Sequence, residues 1–524
     1  MHEILTVQLG TQANYVGTHF WNTQEKYFTY ANEEISLVDH DIHFRAGRAP
    51  NGSETYNPRA LIYDLKENFG ALKKAEGEYV EEFDTSGGIW PNSSTIHTGP
   101  PISTHPYIDS LSHPHGPLPS LLCGQPPRYF TDLSHTYFHP RSIMPLPRAV
   151  IPTVSHLNPL KSFRAGAEFY HDLDIADPAG DGDLFERDVR WWVEECDNLQ
   201  GVQIITGADD AWGGFAGAWV ERWKDEMGGG KGVWVWGVEK YIEPKEQSRE
   251  SRLLSLLNET LALCALAMHA SLYVPLTSQP LRSPSYLTYD PGSAWHVSAL
   301  QATALETAAF SSRLRPASNT RRGMFQDMEE ITNSGGNRNV AKLEMSIQDA
   351  ESDQIIMTGD KSDYRMANGH MIAADEYEEP KKLDVDMFSK DMGNIGNTHS
   401  SASQSEHVFG RVEVVRGNWG LGEERTEGEE RWSGPVVERY HSPLTYPQLT
   451  SFPTIFGVQS DHRLAIHTAL TTSSAVATQI RQMERTVRRY VSVDEREAVS
   501  DGLKTLCEEY EEGWDSGSDE GEDE

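Results

Sequence analysis

The stretch Gly201-Val202-Gln203-Ile204-Ile205-Thr206-Gly207-Ala208-Asp209-Asp210-Ala211-Trp212-Gly213-Gly214-Phe215-Ala216-Gly217-Ala218-Trp219-Val220 carries two periods in succession. Val202 to Thr206 is a short apolar run of the buried-strand type. Gly207 to Gly217 is rich in glycine, and Trp219, Val220 and Trp223 then recur at helical spacing. Gly228-Gly229-Gly230 stops that helix, and Val233 to Val238 begins the next strand. Repeated strand and helix alternation of this kind builds a parallel sheet with helices on its faces.

The same unit occurs on either side. Ile4, Leu5, Val7 and Leu9 end at Gly10, and Asn14 to Tyr27 follows as a helix through Val16, Phe20 and Trp21. Ala60-Leu61-Ile62-Tyr63 is a further buried strand, closed by Asp64. Val189, Trp192, Val193 and Cys196 predict a helix over 188–196. Leu253 to Leu276 reads as a buried helix followed by a strand at Ser271 to Pro275; Asn258, Glu259 and His269 interrupt it at depths where a bilayer penalises polar groups. No membrane span is expected.

The regular pattern lapses twice. Residues 85–128 are dense in Pro, Ser, His and Gly and read as an insertion that cannot bury enough surface to order itself. Gly335 to Gln404 is polar and acidic and reads mostly as a disordered insertion. Arg321 to Thr332 predicts a helix, Val408 to Val415 and Thr454 to Val458 strands, and Ala475 to Tyr490 and Asp494 to Tyr510 two closing helices. The resulting division is an α/β domain over 1–314, an insertion over 315–407, a smaller α+β domain with the closing helices over 408–510, and an acidic tail over 511–524.

Charge excludes some functions. With 45 basic against 79 acidic side chains the net charge is −34, so nucleic acid and acidic lipid surfaces are repelled unless a basic patch forms locally. Cys123, Cys196, Cys264 and Cys507 have no paired spacing, which argues against a zinc site or a disulfide framework. The start, Met1-His2-Glu3-Ile4-Leu5, lacks a signal-peptide or matrix-targeting pattern. His113, His115, His135, His139 and His467 stand apart from other ligand types and read as surface or loop residues. No Gly-x-Ser-x-Gly elbow or Walker loop occurs.

Strand, glycine turn and helix at the start is a geometry that can hold a phosphate on backbone N–H groups. Its residues, Glu3, Ile4, Gln8, Gly10, Asn14, Gly17, Phe20 and Trp21, resemble the opening segment of tubulins. Asn57-Pro58-Arg59-Ala60-Leu61-Ile62-Tyr63-Asp64-Leu65 resembles the tubulin strand that ends in an acid near the nucleotide. Cys196-Asp197-Asn198-Leu199-Gln200-Gly201-Val202-Gln203 resembles the run before the tubulin phosphate loop. Val193-Glu194-Glu195-Cys196-Asp197, Phe138-His139-Pro140-Arg141-Ser142-Ile143, Trp236-Gly237 and the stretch from Ser298 to Thr307 resemble the Misato family, a divergent branch of the tubulin/FtsZ-like fold. The resemblance covers most of residues 1–315 and returns more weakly after 408. It implies an α/β parallel-sheet domain of nucleotide-binding type followed by a smaller α+β domain. It also implies a role in mitochondrial distribution and inheritance of mitochondrial DNA, at the mitochondrion with a cytoplasmic pool.

Carried over residue by residue, the resemblance puts Gly10, Thr11, Gln12, Asp64, Gly213, Gly214 and Asn258 around a vestigial GTP cleft. Asp209, Asp210 and Trp212 replace small or hydroxyl residues there. At about 4 Å and an effective dielectric near 20, each Asp repels a phosphate charge by roughly 4 kcal/mol. Ordinary GTP binding is therefore disfavoured, and two readings of the pair remain: a Mg²⁺ site, or a solvated acidic loop with Trp212 exposed for partner docking. Thr11 and Gln12 stand where tubulins carry Gln and Cys, Tyr15 replaces a glutamine near the base, and Lys66 replaces a glutamate and reads as a surface lysine. Ser293-Ala294-Trp295-His296-Val297 lacks the acidic loop with which tubulin subunits complete hydrolysis.

Three functions follow in order. The first is a non-enzymatic scaffold or adaptor that meets cytoskeletal or mitochondrial-surface proteins through Trp212, Trp219 and the acidic tail. The second is a weak GTP-binding switch, and the third a polymerising GTPase.

Overall fold

The computed structural model describes residues 2–29, 36–48, 52, 54–70, 105–107, 127–146, 160–175, 183–240, 248–316, 322–333, 337–350, 383–390, 406–417, 419, 436–458, 463–490 and 493–511. Most of the expected insertion at 85–128 and nearly all of the acidic tail lie outside these residues.

The chain opens with strand β1 (Ile4–Leu9) and helix α1 (Thr11–Glu25), then the hairpin β2 (Phe44–Arg48) and β3 (Glu54–Pro58), then β4 (Ala60–Leu65) and β5 (Ile143–Leu146). Helices α2 (Phe163–Ile175), α3 (Leu184–Asp188) and α4 (Arg190–Glu194) lead to β6 (Gly201–Gly207), α5 (Ala211–Met227), β7 (Gly232–Val238), α6 (Arg249–His269) and β8 (Leu272–Leu276). The expected helix over 188–196 is the shorter α4, set off from α3 at Val189.

Apart from the separate β2–β3 pair, these strands form one six-stranded sheet in the order β5-β4-β1-β6-β7-β8, every neighbouring pair parallel. Apolar residues run almost without break along β1, β4, β6 and β7 because both faces are covered. Leu5, Val7 and Leu9 pack on the α2–α6 side, and Ile4 packs on the α1 side.

Helix α7 (Ala294–Ala308) follows, then α8 (Phe325–Thr332). A second sheet of β9 (Lys342–Asp349), β10 (Val385–Asp386), β11 (Val408–Arg416), β12 (Val436–Ser442) and β13 (Leu464–Ser473) is ordered β10-β9-β13-β11-β12; only β11 and β12 pair in parallel. Helices α9 (Ser474–Tyr490) and α10 (Val493–Glu509) close the chain.

Helix α7 is buried all round and shares one core with α1 and the second sheet, through Leu300, Leu305, Phe20, Leu343, Val412 and Ile466. Glu306 of α7 fixes the arrangement: it pairs with Arg313 at 2.7 Å and with Arg416 of β11 at 2.5 Å, all three fully buried. Arg416 also donates to the Tyr27 hydroxyl.

One expectation fails here and another is narrowed. Most of Gly335 to Gln404 lies outside the described residues, but the described part contains β9, a strand between β10 and β13. Its polar appearance comes from Lys342 and Glu344, which lie buried and paired with each other and with Glu406 and Arg411, while Leu343, Met345 and Ile347 face the core. Thr454 to Val458 is irregular: Pro453 lacks an N–H, Gly457 has φ +65°, and Ile455 and Phe456 are buried from a loop. Helix α6 is long and apolar enough to cross a membrane by length and composition; in the fold it packs against α5, α9, α10 and β8.

Candidate functional site

The carboxyl ends of β1, β4, β6 and β7 converge on one edge of the parallel sheet, the place where open α/β sheets bind ligands. Four of the expected cleft residues, Gly10, Thr11, Gln12 and Asp64, surround this edge. Gly10 makes the turn between β1 and α1 at φ +90°, and its N–H donates to the Tyr63 carbonyl at 3.0 Å. Asp64 at the end of β4 is fully buried. One of its oxygens accepts from Thr11 Oγ1 and Asn14 Nδ2, each at 3.0 Å; the other accepts from Asn68 Nδ2 at 2.7 Å and the Leu65 N–H at 2.8 Å. Burial lifts the Asp64 carboxyl to about 6 against these donors. Gln12 donates to Gln301 of α7 at 3.0 Å, and Gln301 in turn donates to the carbonyls of Glu239 and Leu276. Tyr15 packs edge-on against Trp295.

The loop after β6 departs from expectation. Trp212 is 8% exposed, not a surface side chain, and its indole lies directly on Gly10: a Cβ there would stand 2.4 Å from Trp212 Cδ1. Trp219 is fully buried and stacks on Trp223. Neither is a docking residue, because the apolar side of α5 turns into the α2–α6 core.

The acidic pair is not a solvated loop. Asp210 caps α5, accepting from the Trp212 N–H at 2.9 Å, and pairs with Lys240 at 3.3 Å. Asp209 is buried; burial, and next the Asp210 charge, push its carboxyl up to about 8. Asp210 is already engaged by the α5 cap and by Lys240, and among the described residues no group of three or more His, Cys, Asp or Glu side chains is set to hold a metal ion.

Gly213 and Gly214 serve packing. A Cβ on Gly214 would stand 1.8 Å from the Phe163 carbonyl oxygen, and one on Gly166 would stand 1.6 Å from that of Ala211, so α2 and α5 touch backbone to backbone. A Cβ on Gly213 would meet Ala262 of α6 at 2.9 Å. Asn258 of α6 binds this joint, accepting from the Phe163 N–H and donating to the carbonyls of Lys161 and Asp209. Lys66 is exposed.

Sequence reasoning missed Lys240, Gln301, Asn68 and the ion cluster of Lys390 with Glu239 and Glu259, whose partners come from distant segments. The position of Lys240 just past β7 was the one available signal. The histidines are not loose surface residues either: His135 bonds the Tyr107 hydroxyl, His139 stacks on Trp191, and His467 of β13 sits 3.4 Å from Glu413. His113 and His115 lie outside the described residues.

A six-stranded parallel sheet, a buried helix crossing to a second mixed sheet, and a cleft at the strand ends define a tubulin-like α/β protein. A tubulin domain family matches residues 119–314, and the Misato Segment II tubulin-like domain family matches residues 2–113. Protein DML1 of Phaeosphaeria nodorum is 42% identical over all of both chains. Protein dml1 of Aspergillus clavatus is 37% identical over 99% of each, and Protein dml-1 of Neurospora crassa 34% identical over all of both. The chain belongs to the Misato/DML1 family.

Guanine nucleotide is the group the tubulin-like fold implies at this edge, and the residues present do not fit it. The Gly10 surface that a phosphate would approach carries an indole, the α5 amino terminus is capped by a carboxylate, and the loop glycines are filled by α2 and α6.

Proposed function

We propose that this chain is a non-enzymatic tubulin-like scaffold or adaptor, acting through protein surfaces in the partitioning of mitochondria and of mitochondrial DNA. The observation that carries the non-enzymatic part is the Trp212 indole seated on Gly10, which puts a side chain of the protein where backbone would otherwise meet phosphate. The mitochondrial part rests on the resemblance to the Misato family. Its place of action is the mitochondrion with a cytoplasmic pool, and its partners are cytoskeletal or mitochondrial-surface proteins. With Trp212 and Trp219 buried, partner contact falls to other surfaces.

The test is calorimetric titration of GTP into the purified chain, with and without Mg²⁺, beside the variant Trp212→Gly/Asp209→Gly/Asp210→Gly. The scaffold reading expects no binding heat from the natural chain. Saturable Mg²⁺-dependent binding by the natural chain would replace it with the nucleotide-switch reading, and phosphate release with filament growth would replace both with a GTPase.

A further inference from the structure

Helix α9 divides its side chains cleanly. Val476, Ala477, Ile480, Met483 and Val487 are buried against α6 and α10, while Arg481, Arg485, Arg488 and Arg489 are all exposed. At about 100° per residue these four arginines fall within roughly 100° of arc, one row along the outer face. A row of four guanidinium groups is unusual in a chain of net charge −34.

The row has begun to collect carboxylates. Arg488 pairs with Glu484 at 2.9 Å, and Arg481 pairs with Glu511, the last described residue. That second contact places the exit of the C-terminal segment against the row itself. Residues 512–524 then read Glu512-Gly513-Trp514-Asp515-Ser516-Gly517-Ser518-Asp519-Glu520-Gly521-Glu522-Asp523-Glu524, with seven acidic side chains and no basic one. The row from Arg481 to Arg489 is about 12 Å long at 1.5 Å per residue. Thirteen residues reach up to about 43 Å when extended, more than enough to return along it. Trp514 adds an aromatic face of the kind guanidinium groups stack on.

We propose that the arginine row of α9 is a docking strip for acidic peptide, and that its resident occupant is this chain's own segment 512–524. Tethering sets an effective concentration in the millimolar range, so even a weak strip is mostly filled in cis, and an acidic segment of another protein binds only by displacing the tail. The strip is distinct from the nucleotide-type cleft and does not depend on how that cleft is read.

The experiment uses the full chain and a fluorescein-labelled peptide of residues 508–524, followed by anisotropy. Four proteins are compared: the natural chain; one with a neutralised tail (Glu512→Gln, Asp515→Asn, Asp519→Asn, Glu520→Gln, Glu522→Gln, Asp523→Asn, Glu524→Gln); and that one carrying either Arg485→Glu or Arg485→Gln as well. The neutralised chain should bind the peptide at least tenfold tighter than the natural chain, with affinity falling as salt rises, and Arg485→Glu should remove the gain. Arg485→Gln, which leaves the helix without a reversed charge, should remove part of it, and equal thermal midpoints check that the fold is kept. Equal binding to natural and neutralised chains, no binding to either, or a gain that survives Arg485→Glu would each overturn the proposal. Capture of phosphatidylserine vesicles by the neutralised chain without peptide binding would likewise overturn it and mark the row as a membrane face.

Discussion

Trp212 packs between Gly10 and Phe215 at the carboxyl edge of the sheet. Replacing it by alanine removes that contact and leaves a cavity over the turn, at a cost of about 3–5 kcal/mol by urea denaturation. A loss under about 1 kcal/mol would mean that the indole is free to leave the cleft. Asp209 makes a prediction in pH. Its carboxyl moves from an ordinary 3.8 to about 8 in the folded chain, so between those values the folded state keeps a proton that the unfolded state has lost. Stability from this group therefore falls as pH rises from about 4 to about 8, and Asp209→Asn should gain relative to the natural chain at pH 8.5 but not at pH 4. Equal thermal midpoints of the two proteins at both values would contradict the buried placement. Neither role was legible beforehand: a Trp and two Asp in a glycine-rich loop read as polar and exposed, and only the approach of α1, α2 and α6 encloses them.

Between elements, the glycines of that loop matter for how closely helices approach. Gly214→Ala would drive a Cβ to 1.8 Å from the Phe163 carbonyl oxygen and force α2 off α5, costing about 1–3 kcal/mol. Gly229→Ala, whose Cβ meets nothing within 4 Å, should stay within about 0.5 kcal/mol in the same denaturation series. Similar losses at the two positions would show that helix contact is not why Gly214 is glycine. The expected strand and helix units around Val202–Thr206, Val233–Val238 and Ala60–Tyr63 all appear, because a strand buried on both faces must be apolar throughout and that is visible locally. Strand β9 escaped reading, since its charges are neutralised by Glu406 and Arg411, which follow it by more than 50 residues.

For the whole molecule, Glu306, Arg313 and Arg416 join α7 to the second sheet without contact with water. Burial raises the Glu306 carboxyl and the two guanidinium charges outweigh it, leaving the group below its ordinary value. Arg416→Met strips one partner from a buried charge and should cost about 3–5 kcal/mol in thermal or denaturant unfolding; a neutral result would mean that α7 is held by apolar packing alone. A fold whose nucleotide edge is filled by its own side chains should also show no rise in melting temperature with GTP and Mg²⁺, whereas a ligand at a hundred times its dissociation constant would add about 2.7 kcal/mol. By itself the sequence determined the parallel-sheet architecture, the tubulin-like relationship and the presence of two aspartates and a tryptophan in the loop after β6. These depend on apolar runs, glycine turns and residue identities, which act over a few positions. Only the tertiary structure decided where Trp212 lies, which glycines serve packing, and which charges are paired. Those outcomes depend on backbone approaches and ion pairs between residues far apart in the chain, which no local pattern encodes.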